Sequence, residues 1–283
     1  MQTPSRTTTV VTALVLAGFA LTVGLVWWNH HELIHEVHSD YSHIRVRARG
    51  SVRSLHFVRG NGLEVLESRM DLDAPHELLV PYTRAMFASY LYEPHPERVL
   101  IVGLGAGSMV RFLQHHDPDV HVDAIEIDPV VVRLADEYFG TRPGDSVAIH
   151  TVDGFDYLAN TEERYDVIYM DAFLKPSESD ASAIPLRLRT LEFFRSMQTK
   201  LRPGGLVVFN LTIRPSTEGD IETIRQAFAQ TTVYRTPRRN LVVVGQTGEA
   251  PLSEEQLEER AEQLDRRFDT RFRFESLLAA RRD

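Results

Sequence analysis

The chain has 283 residues, 43% of them hydrophobic and 25% charged, a globular composition able to bury a core, which excludes wholesale disorder and collagen-like classes. It contains no cysteine, so disulfide frameworks, thiolate nucleophiles and cysteine-ligated metal centres are excluded as well. The 31 Lys and Arg residues against 40 Asp and Glu residues leave a formal net charge of −9, the wrong sign for a generic nucleic-acid binder.

Val10 to Trp28 is a run of 19 residues without a charge. As a helix rising about 1.5 Å per residue, it is long enough to cross the hydrocarbon layer of a membrane. Trp27 and Trp28 close it as an interfacial belt would. A cleaved secretory signal is the competing reading, but an A-x-A-like cleavage site is missing, and the run exceeds a typical signal core. A single-pass N-terminal anchor is expected. Arg6 precedes the span while Glu32, Glu36 and Asp40 follow it, so flanking charge favours a body outside the cytoplasm.

His31-Glu32-Leu33-Ile34-His35 matches H-E-x-x-H, the pattern that puts two zinc-binding histidines and a glutamate base on one helical face. Here it continues directly from the span, and a solvated juxtamembrane helix is the favoured expectation, with a zinc metalloprotease as the minority one. Tyr41 to Arg69 alternates with period two through Ile44, Val46, Ala48, Leu55 and Phe57. Arg59-Gly60-Asn61-Gly62 supplies a turn, which predicts a small antiparallel β module. Leu78, Leu79, Tyr82, Met86 and Tyr90 recur at helical spacing over His76–Leu91, with Pro81 near the start.

From Arg98 onward short apolar runs alternate with helical stretches: RVLIVG, VHVDAIEI, VAIHTV, DVIYMD and GLVVFNL, with a helix predicted over Leu186–Leu201 before the last of these. Unbroken Val/Ile runs between helices predict a doubly wound, mostly parallel α/β sheet. TTVYR and NLVVVG then form an edge hairpin across Thr236-Pro237-Arg238-Arg239. Ser253 and Gln256 are spaced as a capping box for a helix burying Leu257, Ala261, Leu264, Phe268 and Phe272. The expected division is 1–40 anchor and histidine-rich stalk, 41–70 β-hairpin module, 71–250 α/β domain binding a nucleoside, and 251–283 C-terminal amphipathic helix.

The candidate site gathers at strand ends. Gly103, Gly105 and Gly107 stand between the first strand and a helix, where they allow a tight turn and close backbone approach to a ligand. Glu126 follows Gly105 by 21 positions at the end of the second strand, where a carboxylate can accept from a ribose diol. Asp153-Gly154 closes the third strand, with an exocyclic adenine amine as its expected partner and helix capping as the alternative. Asp171 closes the fourth.

Gly103 to Ser108, Glu126-Ile127-Asp128, Asp153-Gly154 and Asp171, preceded by the β module and His76-Glu77, resemble the spermidine synthase (polyamine aminopropyltransferase) family, a branch of the S-adenosylmethionine-dependent methyltransferase fold. The resemblance spans about residues 41 to 245. It implies decarboxylated S-adenosylmethionine as donor, with Glu126 on the ribose, Asp153 on adenine and Asp171 as the carboxylate that deprotonates or orients an attacking amine. His76 and Glu77 would serve the substrate, no metal is called for, and a homodimer is implied. The chain departs from the family pattern at Ala106, Leu174, Pro75 and Phe194, where the family carries an aspartate, an aspartate and two tyrosines. Most groups that would hold a dicationic amine are therefore absent. Transfer of a methyl group from S-adenosylmethionine, and a non-catalytic nucleoside-binding scaffold, are the alternatives. A donor made inside the cell also pulls against the outward orientation inferred from flanking charge.

Overall fold

The computed structural model describes residues 31–172, 190–237, 239–248 and 250–282. The expected span over 10–28 lies outside them. No helix among the described residues is long and apolar enough to cross a membrane.

A four-stranded antiparallel sheet comes first: β1 (Glu32–His38), β2 (His43–Arg49), β3 (Val52–Val58) and β4 (Glu64–Asp71), paired in sequence order. Ile44, Val46 and Leu55 point inward and are fully buried, as the period-two pattern requires. The Gly62 amide closes the β3–β4 turn on the Arg59 carbonyl at 2.8 Å. One strand of this sheet was missed. Glu32–His38 is β-structure and not a juxtamembrane helix, because Ile34 and Val37 pack against the inner apolar cluster while the backbone pairs with β2. In an extended strand residues four apart stand about 13 Å apart. His31 and His35 therefore cannot share one ion, and the zincin expectation is overturned.

The helix expected over His76–Leu91 begins only at α1 (Pro81–Met86) and continues as a 3-10 turn over Phe87–Leu91. Pro81 takes the first helical position, where its missing amide costs nothing, and it biases the preceding residue away from helical geometry.

The second sheet has eight strands: β5 (Arg98–Val102), β6 (His121–Glu126), β7 (Val147–Thr151), β8 (Tyr165–Met170), β9 (Leu201–Thr212), β10 (Gln230–Arg235), β11 (Asn240–Gln246) and β12 (Arg281–Arg282). Their spatial order is β12-β10-β11-β9-β8-β5-β6-β7. The five strands from β7 to β9 are parallel, and β11, β10 and β12 are antiparallel. The order reverses between β5 and β8, and in such sheets that switch point opens the ligand crevice at the carboxyl ends. The helices are α2 (Ser108–His116), α3 (Pro129–Phe139), α4 (Gly154–Asn160), α5 (Leu191–Gln198), α6 (Thr217–Ala227), α7 (Glu254–Arg267) and α8 (Phe274–Leu278).

The Thr190 side chain caps α5, so the predicted helix starts later than Leu186, and residues 186–189 lie outside the described ones. The capping box of α7 is present, and Leu257, Ala261, Leu264, Phe268 and Phe272 are buried. Phe272 lies beyond the helix end, and the chain then returns as β12 along β10.

The two sheets meet over an apolar layer of Ile44, Leu55, Met70, Ala106, Val131, Leu134 and Phe139. Polar ties cross the same junction. Ser39 Oγ donates to Asp128, which caps α3, and the Ala106 amide donates to Ser68 Oγ at 3.0 Å.

Candidate active site

The loop Gly103–Gly107 joins β5 to α2, and all three of its glycines have positive φ. Gly103 shows why no side chain fits. At φ 101° an added Cβ would lie 2.2 Å from the Asp171 carbonyl oxygen, so the end of β8 rests on this glycine. Glu126, at the end of β6, is held by the same loop. Its Oε2 accepts from the Leu104 and Gly105 amides at 3.2 and 3.4 Å, and its Oε1 accepts from the Asp128 amide at 3.1 Å. Burial pushes the carboxyl above its usual range, against the pull of those three amides.

Asp153 caps α4, with Oδ1 accepting from the Phe155 amide at 2.8 Å, so the capping alternative is observed. Gly154 lies against β5, where a Cβ would stand 2.5 Å from Val102 Cγ1. Glu126 and Asp153 thus end neighbouring strands beside the glycine loop.

Asp171 follows β8 on the other side of β5. Its Oδ1 accepts from Asn210 Nδ2 at 2.7 Å, and its Oδ2 accepts from the Tyr82 hydroxyl at 2.9 Å. Asn240 donates in turn to Asn210 Oδ1 at 2.8 Å, which fixes the amide so that its nitrogen faces the carboxylate. Burial pushes the Asp171 carboxyl up to about 7, the two hydrogen bonds opposing and the Glu126 charge adding to the rise. A second acid joins it from the small sheet. In β4, Ser68 pairs with Leu55 and Leu66 with His56, so Glu67 sits in a β-bulge with no residue opposite. Burial, then the Asp171 charge, pushes Glu67 up to about 7 as well. Carboxyls raised in this way inside a crevice are stabilised by an incoming cation.

His76 and Glu77 are not brought to this crevice. His76 stacks on His115 at the far end of α2, with ring centroids 3.7 Å apart, and Glu77 pairs with Arg271 at 3.6 Å. Ala106 is fully buried in the layer between the sheets. Pro75 offers its carbonyl to Arg111, and Phe194 packs on Phe209. Leu174 lies outside the described residues. The sequence reading missed Glu67, Tyr82 and Asn210. Tyr82 reads as one apolar position of a helix and Glu67 as one charge in an alternating strand. Asn210 did leave a signal, a lone amide in the buried run of β9.

A profile described as the spermine/spermidine synthase domain matches residues 81–242. A polyamine aminopropyltransferase of Vibrio vulnificus is 32% identical over 239 residues, covering 82% of this chain and 77% of that protein. The chain belongs to the spermine/spermidine synthase family. The crystal structure of a probable spermidine synthase from Corynebacterium glutamicum superposes with a TM-score of 0.68 at 22% identity, covering 83% of this chain and 87% of that one, a likeness of fold. Human methyltransferase-like protein 13, solved with SAH, gives a TM-score of 0.62 at 27% identity over 66% of this synthase-family chain and 92% of that protein.

Proposed function

We propose that this chain transfers an aminopropyl group from decarboxylated S-adenosylmethionine to an amine acceptor in the crevice between Glu126, Asp153, Asp171 and Glu67. The observation that carries the reading is the Asp171 carboxylate, aimed by Tyr82 and Asn210, raised to about 7 and facing a second raised acid from the small sheet. Family membership supports the donor.

An aliphatic amine is protonated at neutral pH, with an unperturbed pKa of about 10, and cannot attack until that proton leaves. Glu67 and Asp171 attract the cation, and its charge in turn favours their ionised forms. Asp171 takes one proton from the acceptor nitrogen. The nitrogen lone pair then forms a bond to the aminopropyl methylene beside the sulfonium, and the carbon–sulfur bond breaks with its electron pair returning to sulfur. The products are the alkylated amine and neutral methylthioadenosine. A base whose pKa lies near the working pH suits this step, and general-base catalysis is worth on the order of 10²–10⁴-fold. Holding both reactants in one crevice supplies the rest. In this reading Glu126 takes the ribose diol and Asp153 the adenine amine. The uncharged run Val10–Trp28 supports anchoring of this site at a membrane, which carbonate extraction of cell membranes tests.

Calorimetric titration of the full chain in detergent with decarboxylated S-adenosylmethionine, S-adenosylmethionine and methylthioadenosine tests the donor, and detection of methylthioadenosine on adding amines tests the reaction. Binding of the decarboxylated donor, weakened in Asp153→Ala, supports the proposal. Binding of none of the three nucleosides sinks it, and turnover with S-adenosylmethionine alone replaces aminopropyl transfer by methyl transfer.

A further inference from the structure

Outside the crevice, three histidines converge where three segments of the chain meet. His115 and His116 end α2, and His76 comes from the stretch after β4. One ring nitrogen from each lies within 4.8 Å of the others. His76 stacks on His115 at 12° between ring planes, and the His116 ring stands nearly perpendicular to both, at 76° and 87°. We infer that His76, His115 and His116 form a binding site for one divalent transition-metal ion of the zinc class, separate from the transferase crevice.

The chemistry of the donor set fits that class. Imidazole nitrogen suits Zn²⁺, Ni²⁺, Cu²⁺ and Co²⁺, and three such donors leave one tetrahedral position for water or a carboxylate. Tetrahedral zinc, with bonds of about 2.0–2.1 Å, sets neighbouring nitrogens about 3.4 Å apart. Rotation of the exposed His115 side chain closes the remaining distance. The Nε2 of His116 is buried with no hydrogen-bond partner in the structure, an orphan polar atom of the kind that calls for a ligand.

The surroundings hold the donors in place. Arg111, one turn before His115 and buried, donates from Nε to the Pro75 carbonyl at 2.9 Å and so pins the residue before His76 to α2. The rings of Phe112 and Phe268 flank His116, at 4.6 and 6.1 Å, and give it an apolar floor. His115 is eight residues from Gly107, about 12 Å along the helix. An ion there serves as a clip between the β4–α1 stretch and α2, and takes no part in the transfer.

The test uses the full chain without a histidine tag, stripped with EDTA and dialysed. Titration with Zn²⁺ by calorimetry, and with Co²⁺ by the visible absorption of tetrahedral cobalt, should give one ion per chain at micromolar affinity or better. The melting midpoint should rise with Zn²⁺. His116→Ala should weaken binding at least 100-fold. Should that change at a half-buried residue unfold the chain, the exposed His115→Ala variant still decides, with a loss of at least 10-fold. Absence of stoichiometric binding overturns the inference. So does binding unchanged in His115→Ala, or binding lost in His31→Ala, which would move the ion to the histidines of the small sheet. None of these readouts depends on the transferase assay.

Discussion

Replacing Asp171 by Asn removes one ionisable group and keeps both neighbours paired, because an amide can accept from Asn210 Nδ2 and donate to the Tyr82 hydroxyl. Burial lifts this carboxyl from 3.8 to about 7 on folding. Where the folded value is the higher one, the folded chain holds the proton more tightly. The stability it contributes is complete below about pH 4 and is lost as pH rises through 7. Three pH units at about 1.4 kcal/mol each set an upper bound of about 4 kcal/mol. Between pH 5 and pH 8.5 about two of those units are crossed, and local relaxation reduces the remainder to about 1.5 kcal/mol. At about 2–4 °C per kcal/mol for a domain of this size, Asp171→Asn should gain roughly 3–6 °C on the wild type between these pH values. Glu67 adds in the same direction, since the Asp171 charge is part of what raises it. Scanning calorimetry of both proteins across a pH series reads the difference directly. Aminopropyl transfer should meanwhile fall by about 10²-fold or more. Melting curves that stay parallel from pH 5 to pH 8.5 would refute the raised carboxyl, and a variant with near-normal turnover would refute its role as base.

Four further outcomes follow from the same geometry. Wild-type kcat/KM for the amine should climb through about pH 7 as Asp171 ionises, and initial rates at saturating donor will show whether that limb exists. Glu67→Gln should raise KM for the amine about 10-fold or more while donor affinity by calorimetry stays level, since Glu67 faces the acceptor side. Gly103→Ala should cost about 2 kcal/mol by chemical denaturation and weaken turnover, because φ 101° and the 2.2 Å approach to the Asp171 carbonyl leave no place for a Cβ. Ala106→Asp restores the family residue, yet it puts a charge among Ile44, Val131 and Phe139. Its expected result is about 2–3 kcal/mol of lost stability without tighter donor binding.

The parallel sheet and its carboxyl-end acids were legible because buried strands read as unbroken Val/Ile runs, and Glu126, Asp153 and Asp171 punctuate those runs at their ends. Strand β1 was hidden. HELIHEVH carries polar residues on a half-exposed strand and spaces two histidines as a helix would, and only pairing with β2 decides between them. The acceptor side was hidden for a different reason. A bulge turns Glu67 into the crevice against the alternation of its strand, and no local pattern announces a bulge. His76 misled in the opposite sense, since its neighbours matched a family motif while Pro75, bonded to Arg111, directs the segment onto α2.

The crevice is shared between two sheets. The small sheet supplies Glu67 and the large one supplies Asp171, and the apolar layer around Leu134 and Phe139 with a few hydroxyl ties helps hold them in register. In the proposed reaction, the separation between acceptor nitrogen and donor carbon would therefore depend on packing volume around Leu134 and Phe139. Trimming that layer, for example by Phe139→Leu, would let one sheet settle toward the other. Because a misplacement of about 1 Å can cost 10²-fold in rate, such a change would slow the chemistry while each substrate alone still bound as before. A change in interior packing would thus reach the reaction rate without altering any residue of the crevice.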